Sequence, residues 1–281
     1  MNDEPSPPPS GRGPRLSRRG RWVLIVTAAL AVAAAAVVVT LLLSGKPEGE
    51  QETLLIPEGR RTAQIYAAVD EALGKAPGTT RKAVGTAALD LPAEARGNPE
   101  GYLFPATYPI DSGTTPASLL AYMVDTANKR FGAAGVPGGA QRSGLTGYQT
   151  VNIASIVQAE ADTPEDMAKV ARVVHNRLAR QMPLQMDSTL NYALNRSTLD
   201  TTADDTRINS PYNTYQRQGL PPTPIGNPGE HALRAAVEPA AGEWLYFVTV
   251  APGDTRFTAD YEEHQRNVRE FNVNRAKDRS G

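Results

Sequence analysis

Between Trp22 and Leu43 the chain runs for 22 residues without a charge, directly after a stretch that holds Arg12, Arg15, Arg18, Arg19 and Arg21. At about 1.5 Å per residue, a helix of that length crosses the roughly 30 Å hydrocarbon layer of a bilayer. Five arginines against Asp3 and Glu4 give residues 1–21 a net charge of +3 in a chain whose total is −1, and basic residues favour the cytoplasmic side of a span. The pattern predicts a disordered basic cytoplasmic tail over 1–21 and a single transmembrane helix over 22–43. Everything after Ser44 is then extracytoplasmic, held at the plasma membrane. A cleaved signal peptide is the alternative: Ala31-Val32-Ala33 has the small-x-small form, but ten more uncharged residues follow it, and 22 exceeds an ordinary h-region. A nucleic-acid role for the arginines is the weaker reading, because the span follows them directly.

The fold class expected beyond the span is α+β, with few strands and no βαβ alternation. Residues 44–52 read as a polar linker, 53–145 as the N-terminal part of the outer domain, and 146–281 as its core. Thr53-Leu54-Leu55-Ile56-Pro57-Glu58-Gly59 suggests a strand and a turn. Helical spacing runs over Arg61–Leu73, over Pro116–Phe131 with Thr115 as its cap, and over Tyr148–Ala161. A further helix opens at Thr163-Pro164-Glu165-Asp166, with an N-cap threonine, proline at the first helical position and acids in the first turn; it should end near Arg180. Gly132–Gly147 reads as a glycine-rich loop and 183–229 as a long segment with little helical periodicity. A short helix over Glu230–Val237 precedes the strongest strand, 244–250, a turn at Pro252-Gly253-Asp254 and a return strand. A polar helix closes the chain from Tyr261 to about Arg275.

The chemistry concentrates at Ile153-Ala154-Ser155-Ile156-Val157-Gln158-Ala159-Glu160. At about 100° per residue, Ile153, Ile156, Val157 and Glu160 share one helical face, and Gln158 points away. A carboxyl among apolar side chains is poorly solvated as an anion, so its pKa rises and it becomes a proton donor near neutral pH. The bland alternative is a carboxylate leaving the core in the last turn, or one paired with Arg172 or Arg177. Further along, Gln185, Asp187 and Thr189 lie in one polar run, and Tyr212, Asn213 and Tyr215 in another. With Tyr192 they concentrate aromatic faces, amides and hydroxyls in a chain only 6% aromatic. Such groups suit N-acetylated sugar rings, and each is equally at home in a loop that packs on itself. The rigid run Gly219–Gly229 suits a cleft wall. The chain has no cysteine, which excludes disulfides, cysteine nucleophiles and thiolate metal sites. His175, His231 and His264 lack metal-ligand spacing, and neither a phosphate-cradling glycine loop nor G-x-S-x-G is present.

Read together, E-G-Y-L-F-P-A-T-Y (100–108), I-A-S-I-V-Q-A-E (153–160), V-A-R-V-V-H-N-R-L (170–178), M-P-L-Q-M-D-S-T-L-N-Y (182–192), S-P-Y-N-T-Y (210–215), G-L-P-P-T-P-I-G-N-P-G (219–229) and W-L-Y-F-V (244–248) resemble the membrane-anchored endolytic murein transglycosylases of the YceG-like family. The resemblance implies cleavage of the β-1,4 bond between N-acetylmuramic acid and N-acetylglucosamine in nascent peptidoglycan, leaving a 1,6-anhydro end. One glutamate serves as acid and then base, since the muramic C6 hydroxyl replaces water. The family position of that glutamate is Glu160. The resemblance places Gln185, Asp187, Thr189, Tyr192, Tyr212, Asn213 and Tyr215 around sugar or glutamate, and Asn176 and Arg177 in support. It implies no cofactor or metal and no nucleic acid. Its partners are peptidoglycan strands, penicillin-binding proteins and the division or elongation machinery.

Three departures from the family pattern stand out. Many members carry a second Glu where this chain has Gln158, and a proline where it has Ser188. Members usually carry a LysM-like region between anchor and catalytic part; only residues 44–52 stand there, so that region is expected to be truncated or absent. Nine extended residues reach about 30 Å, which would confine cutting to strands near the lipid. A non-catalytic peptidoglycan-binding scaffold for wall synthases on the same fold is the alternative function. A hydrolase is a further one, and it would need a second carboxylate, for which Asp187 is the candidate.

Overall fold

The structure, a computed structural model, describes residues 52–196 and 201–278. The expected tail, span and nearly all of the 44–52 linker lie outside these residues. Among the described residues no helix is long and apolar enough to cross a membrane. Chain from Gln51 onward clusters as one unit, and it is a mixed α+β fold, as the pattern predicts.

Local sequence sets most helix starts. Helix α1 (Thr62–Ala72) begins where the Arg61 N–H donates to Gln64 Oε1, and the short α2 (Thr79–Ala83) follows. In α3 (Pro116–Ala133) the Thr115 hydroxyl accepts from Ser118 N–H, the Ser118 hydroxyl accepts from Thr115 N–H, and Pro116 occupies the first turn. Thr146 and Gln149 repeat that reciprocal cap for α5 (Gly147–Glu160). Thr163 caps α6 (Pro164–Ala179), accepting from Asp166 N–H at 3.2 Å. Each such cap contributes about 1 kcal/mol.

Two expectations fail. Inside the supposed glycine-rich loop lies α4 (Val136–Ser143). Gly139 serves a close approach: a Cβ there would stand 2.6 Å from Val237 Cγ1. Inside the supposedly aperiodic 183–229 segment lies α7 (Asp187–Ala193), too short to announce itself by periodicity. Helix α8 (Glu230–Val237) is as expected.

The sheets are small. Strand β1 (Thr53–Leu55) pairs antiparallel with β2 (Thr107–Pro109), Leu54 opposite Tyr108; no pattern marked β2 as a strand. The expected hairpin is β3 (Tyr246–Ala251) and β4 (Asp254–Thr258), closed through Gly253 at φ +79°. Helix α9 (Tyr261–Asp278) packs on β3.

Helix α5 is the axis of the domain. It packs against α4, α6 and α8, and every residue from Thr150 to Val157 is buried. A helix enclosed on all sides has no solvent face, so the one-stripe picture is too simple. Its polar residues Asn152, Ser155 and Gln158, three apart, meet a covering loop instead of water. Asn152 Nδ2 donates to Pro221 O (2.7 Å), Ser155 Oγ accepts from Ile225 N–H (3.0 Å), and Gln158 Oε1 accepts from Gly229 N–H (2.9 Å). The same loop is anchored from outside by Asn227, whose Nδ2 donates to Leu103 O, and by the Gly59 N–H, which donates to Asn227 O. The run from 219 to 229 is thus tied by hydrogen bonds both to α5 and to the segments outside it.

Candidate active site

The last residue of α5 is Glu160. Ile153, Ile156 and Val157, on its side of the helix, are wholly buried, whereas Glu160 itself is half-buried. Helix α7 faces it. Ser188 Oγ donates to Glu160 Oε1 at 2.6 Å, and Ser188 N–H donates to the same oxygen at 3.2 Å. Oε2 has no hydrogen-bond donor among the described residues. Burial pushes the Glu160 carboxyl above the usual carboxylate range. The two Ser188 donors pull it back, and the nearby Asp187 carboxylate adds to the rise. Desolvation thus outweighs hydrogen bonding, which leaves the carboxyl protonated at pH values where a free glutamate is ionised.

The alternative in which Glu160 pairs with Arg172 or Arg177 is overturned. Arg172 donates to the carbonyls of Pro239 and Ala240. Arg177, 6% exposed, donates to the carbonyls of Leu245, Pro183 and Leu184 and to Gln185 Oε1. Its guanidinium lies over the Tyr246 ring, 5.2 Å from the centroid, and burial lowers its pKa. Asn176 Nδ2 donates to the carbonyls of Gly242 and Trp244. Neither side chain contacts the acid; both fix the 242–245 segment, and Arg177 also fixes the 183–185 turn from which α7 starts.

The remaining candidates fall into two groups. Asp187 and Tyr215 stand beside the acid: the Tyr215 hydroxyl donates to Asp187 Oδ1 at 2.5 Å. Burial first, then that contact, then the carboxylates of Asp187 and Glu160 push the phenol well above its ordinary pKa. Gln185 is exposed, with φ +51°, and is held by Arg177. The others support from behind. Thr189 (0% exposed) donates to Met186 O and shares a hydrogen bond with Thr214 Oγ1. Asn213 (1% exposed) ties Thr206 O, Ile208 O and the Tyr215 N–H together. Tyr192 packs on Tyr212 with centroids 4.8 Å apart, and its hydroxyl donates to Glu100 Oε2; Tyr212 is bonded to Thr223 Oγ1. Enclosed side chains such as Thr189 and Asn213 shape the surface without lining it.

Two residues escaped the sequence. Ser188 stood out only as a departure from a family pattern, and it is the direct partner of the acid. Glu100 is a buried carboxyl whose pKa is likewise raised by burial, signalled only by its place in a shared motif. A cavity of about 760 Å³ lies along the N-terminal half of α5, lined by Arg96, Tyr148, Gln149, Asn152 and residues 219–223. Of the 219–229 run, residues 219–223 form part of its wall, and Glu160 does not line this cavity. Eight residues of helix put Asn152 about 12 Å from it. Glu160, Ser188 on α7, Asp187 and Tyr215 are gathered instead at the end of α5, away from that cavity.

A central buried helix that ends in a protonatable carboxyl, with an α+β shell fixing the loops around it, defines a frame suited to general-acid chemistry. The YceG-like family model matches residues 31–270, and the chain belongs to that family. The endolytic murein transglycosylase of Bacillus subtilis (strain 168) is 35% identical over 168 residues, 59% of this chain and 46% of that protein. The endolytic murein transglycosylase of Streptococcus pneumoniae serotype 2 is 37% identical over 182 residues, 63% of this chain and 33% of that protein. The chain therefore spans less than half the length of these curated relatives. The 2.6 Å crystal structure of a yceG-like protein from Listeria monocytogenes matches with a TM-score of 0.67 at 28% identity, covering 77% of this chain and 75% of that one.

Proposed function

We propose that this chain is an endolytic murein transglycosylase that cleaves the β-1,4 bond between N-acetylmuramic acid and N-acetylglucosamine and leaves 1,6-anhydro ends. The observation that carries the reading is the Glu160 carboxyl, raised in pKa by burial, with one oxygen occupied and the other open. In the protonated form it gives its proton to the glycosidic oxygen as the bond to the muramic anomeric carbon breaks. As a carboxylate it then accepts the proton of the C6 hydroxyl that closes the anhydro ring. One carboxyl suffices because the nucleophile is already part of the substrate, where proximity favours attack.

A hydrolase would need a second free carboxylate to activate water. The Asp187 carboxylate is near enough to act on Glu160, yet it is engaged by the Tyr215 hydroxyl, which favours the non-hydrolytic route. The uncharged run at 22–43 and the arginines before it support a single anchor, with this domain outside the cell facing the wall. Peptidoglycan strands are the substrate under this reading, and wall-synthesis proteins such as penicillin-binding proteins its partners.

Digestion of purified sacculi tests the proposal. Wild-type protein should release anhydro-ended fragments and Glu160→Gln should not. Reducing ends in their place would establish a hydrolase, and equal, fragment-free outcomes for both would leave the binding scaffold.

A further inference from the structure

Glu160 is held asymmetrically. Both donors of Ser188 converge on Oε1, one from the side chain and one from the backbone in the first turn of α7. A hydroxyl can rotate and exchange its role, but a backbone N–H can only donate. A proton on Oε1 would therefore confront a fixed N–H. Oε2 meets no donor among the described residues and is the oxygen left for substrate. The other groups that face the acid are Asp187, on α7 itself, and Tyr215, which comes from the 208–218 segment and is bonded to Asp187. Neither donates to Glu160.

We propose that Ser188 is a positioning residue that fixes Oε2 of Glu160 as the single oxygen through which both proton transfers pass. This rests on the transglycosylase reading above. In the first transfer the Oε2–H bond breaks, the proton goes to the glycosidic oxygen, and that oxygen leaves as a hydroxyl of the departing sugar. In the second, the C6 oxygen bonds to the anomeric carbon and its proton returns to Oε2. The carboxyl ends as it began, and no water is consumed. Throughout, Oε1 keeps its two donors, so the carboxyl does not rotate between steps and one geometry serves both.

The position of Ser188 follows from structure, not from its neighbours in sequence. It lies 28 residues from Glu160, and it is presented by a seven-residue helix whose start is fixed elsewhere. Arg177 holds the carbonyls of Pro183 and Leu184, and Thr214 binds the N–H of Met186 through its hydroxyl. These contacts set where the first turn of α7 stands.

The test uses full-length protein acting on sacculi, with wild type, Ser188→Ala, Ser188→Thr and Glu160→Gln compared for kcat, KM and pH profile. An NMR titration of the Glu160 carboxyl accompanies the kinetics. Loss of a hydrogen bond to a charged group predicts a fall in kcat of about tenfold or more for Ser188→Ala, with KM within about twofold. Ser188→Ala keeps the backbone N–H but loses the hydroxyl, and because that donor favours the carboxylate, its loss moves both the titration and the high-pH fall in activity to higher pH. Ser188→Thr, which keeps both donors, restores the wild-type profile. A Ser188→Ala protein that turns over and titrates as wild type, or that loses activity only in step with loss of folded protein, would overturn the proposal while leaving a Glu160-dependent enzyme intact. Wild type and Glu160→Gln giving the same products would sink the transglycosylase reading, and this inference with it.

Discussion

Among the described residues, burial is the largest influence on pKa for two carboxyls, Glu100 and Glu160, and raises it in both. Their hydrogen bonds differ. Glu100 is 5% exposed; its Oε1 accepts from Thr62 N–H and its Oε2 from the Tyr192 hydroxyl, each at 2.9 Å. The Arg61 guanidinium lies over the Tyr192 ring and adds its charge. Glu160 is half-buried, with both its donors on one oxygen. A raised pKa is thus common to both residues. What separates a structural carboxyl from an available acid is whether an oxygen remains to meet a substrate.

The largest effect that would break this comparison is in catalysis. Glu160→Gln should lower release of anhydro ends by about 10²–10⁴-fold, the usual contribution of a general acid–base group. Its thermal midpoint should stay near wild type, because the amide oxygen still accepts from Ser188. Glu100→Ala should do the reverse. It strands the Thr62 N–H and the Tyr192 hydroxyl, so the free energy of unfolding by urea should fall by about 1–3 kcal/mol, with kcat of the folded protein within about threefold. If Glu100→Ala instead abolished turnover without loss of stability, the two carboxyls would have exchanged roles.

The pH dependence sharpens the contrast. A folded-state pKa above the unfolded one means that the native state binds the extra proton, so stability declines as pH rises from the ordinary 4.5 through the raised value. Glu100→Gln cannot ionise. The stability of wild type relative to Glu100→Gln should therefore be most favourable at low pH and fall across that window, as followed by chemical denaturation at several pH values. For Glu160 the corresponding readout is activity: turnover should decline as pH rises through a point above 4.5, and that limb should persist in Glu100→Gln. The smallest effect is expected from Tyr215→Phe. It removes one donor from Asp187, and kcat should fall by two- to tenfold, the equivalent of one ordinary hydrogen bond, with KM little changed.

Much of the chain announced itself locally. Threonine caps with proline at the first helical position marked α3 and α6, and helical spacing marked α5. The apolar run 244–250 marked β3, and counting along one helix singled out Glu160. Caps and periodicities act between residues three or four apart, which is why they survive in a bare sequence. Gly139 of α4 misled because it serves a close approach to Val237, a residue about a hundred positions away. Helix α7 was missed because seven residues hold barely two turns, and its register comes from Arg177 and Thr214 rather than from its own pattern.

The amino-acid order alone determined the longer capped or periodic helices, the hairpin strand at 244–250, and that a carboxyl closes the apolar face of α5; the glycine-bearing α4, the short α7 and the enclosure of α5 on all sides came only with the fold. Only the tertiary structure decided that this carboxyl meets Ser188 rather than an arginine, that Gln158 is turned to the Gly229 N–H, and that Glu100 is satisfied on both oxygens. The physical reason is range. Helix formation is settled within a turn or two of chain, whereas the partner of a buried polar atom is chosen by whatever the packed core brings within about 3 Å of it.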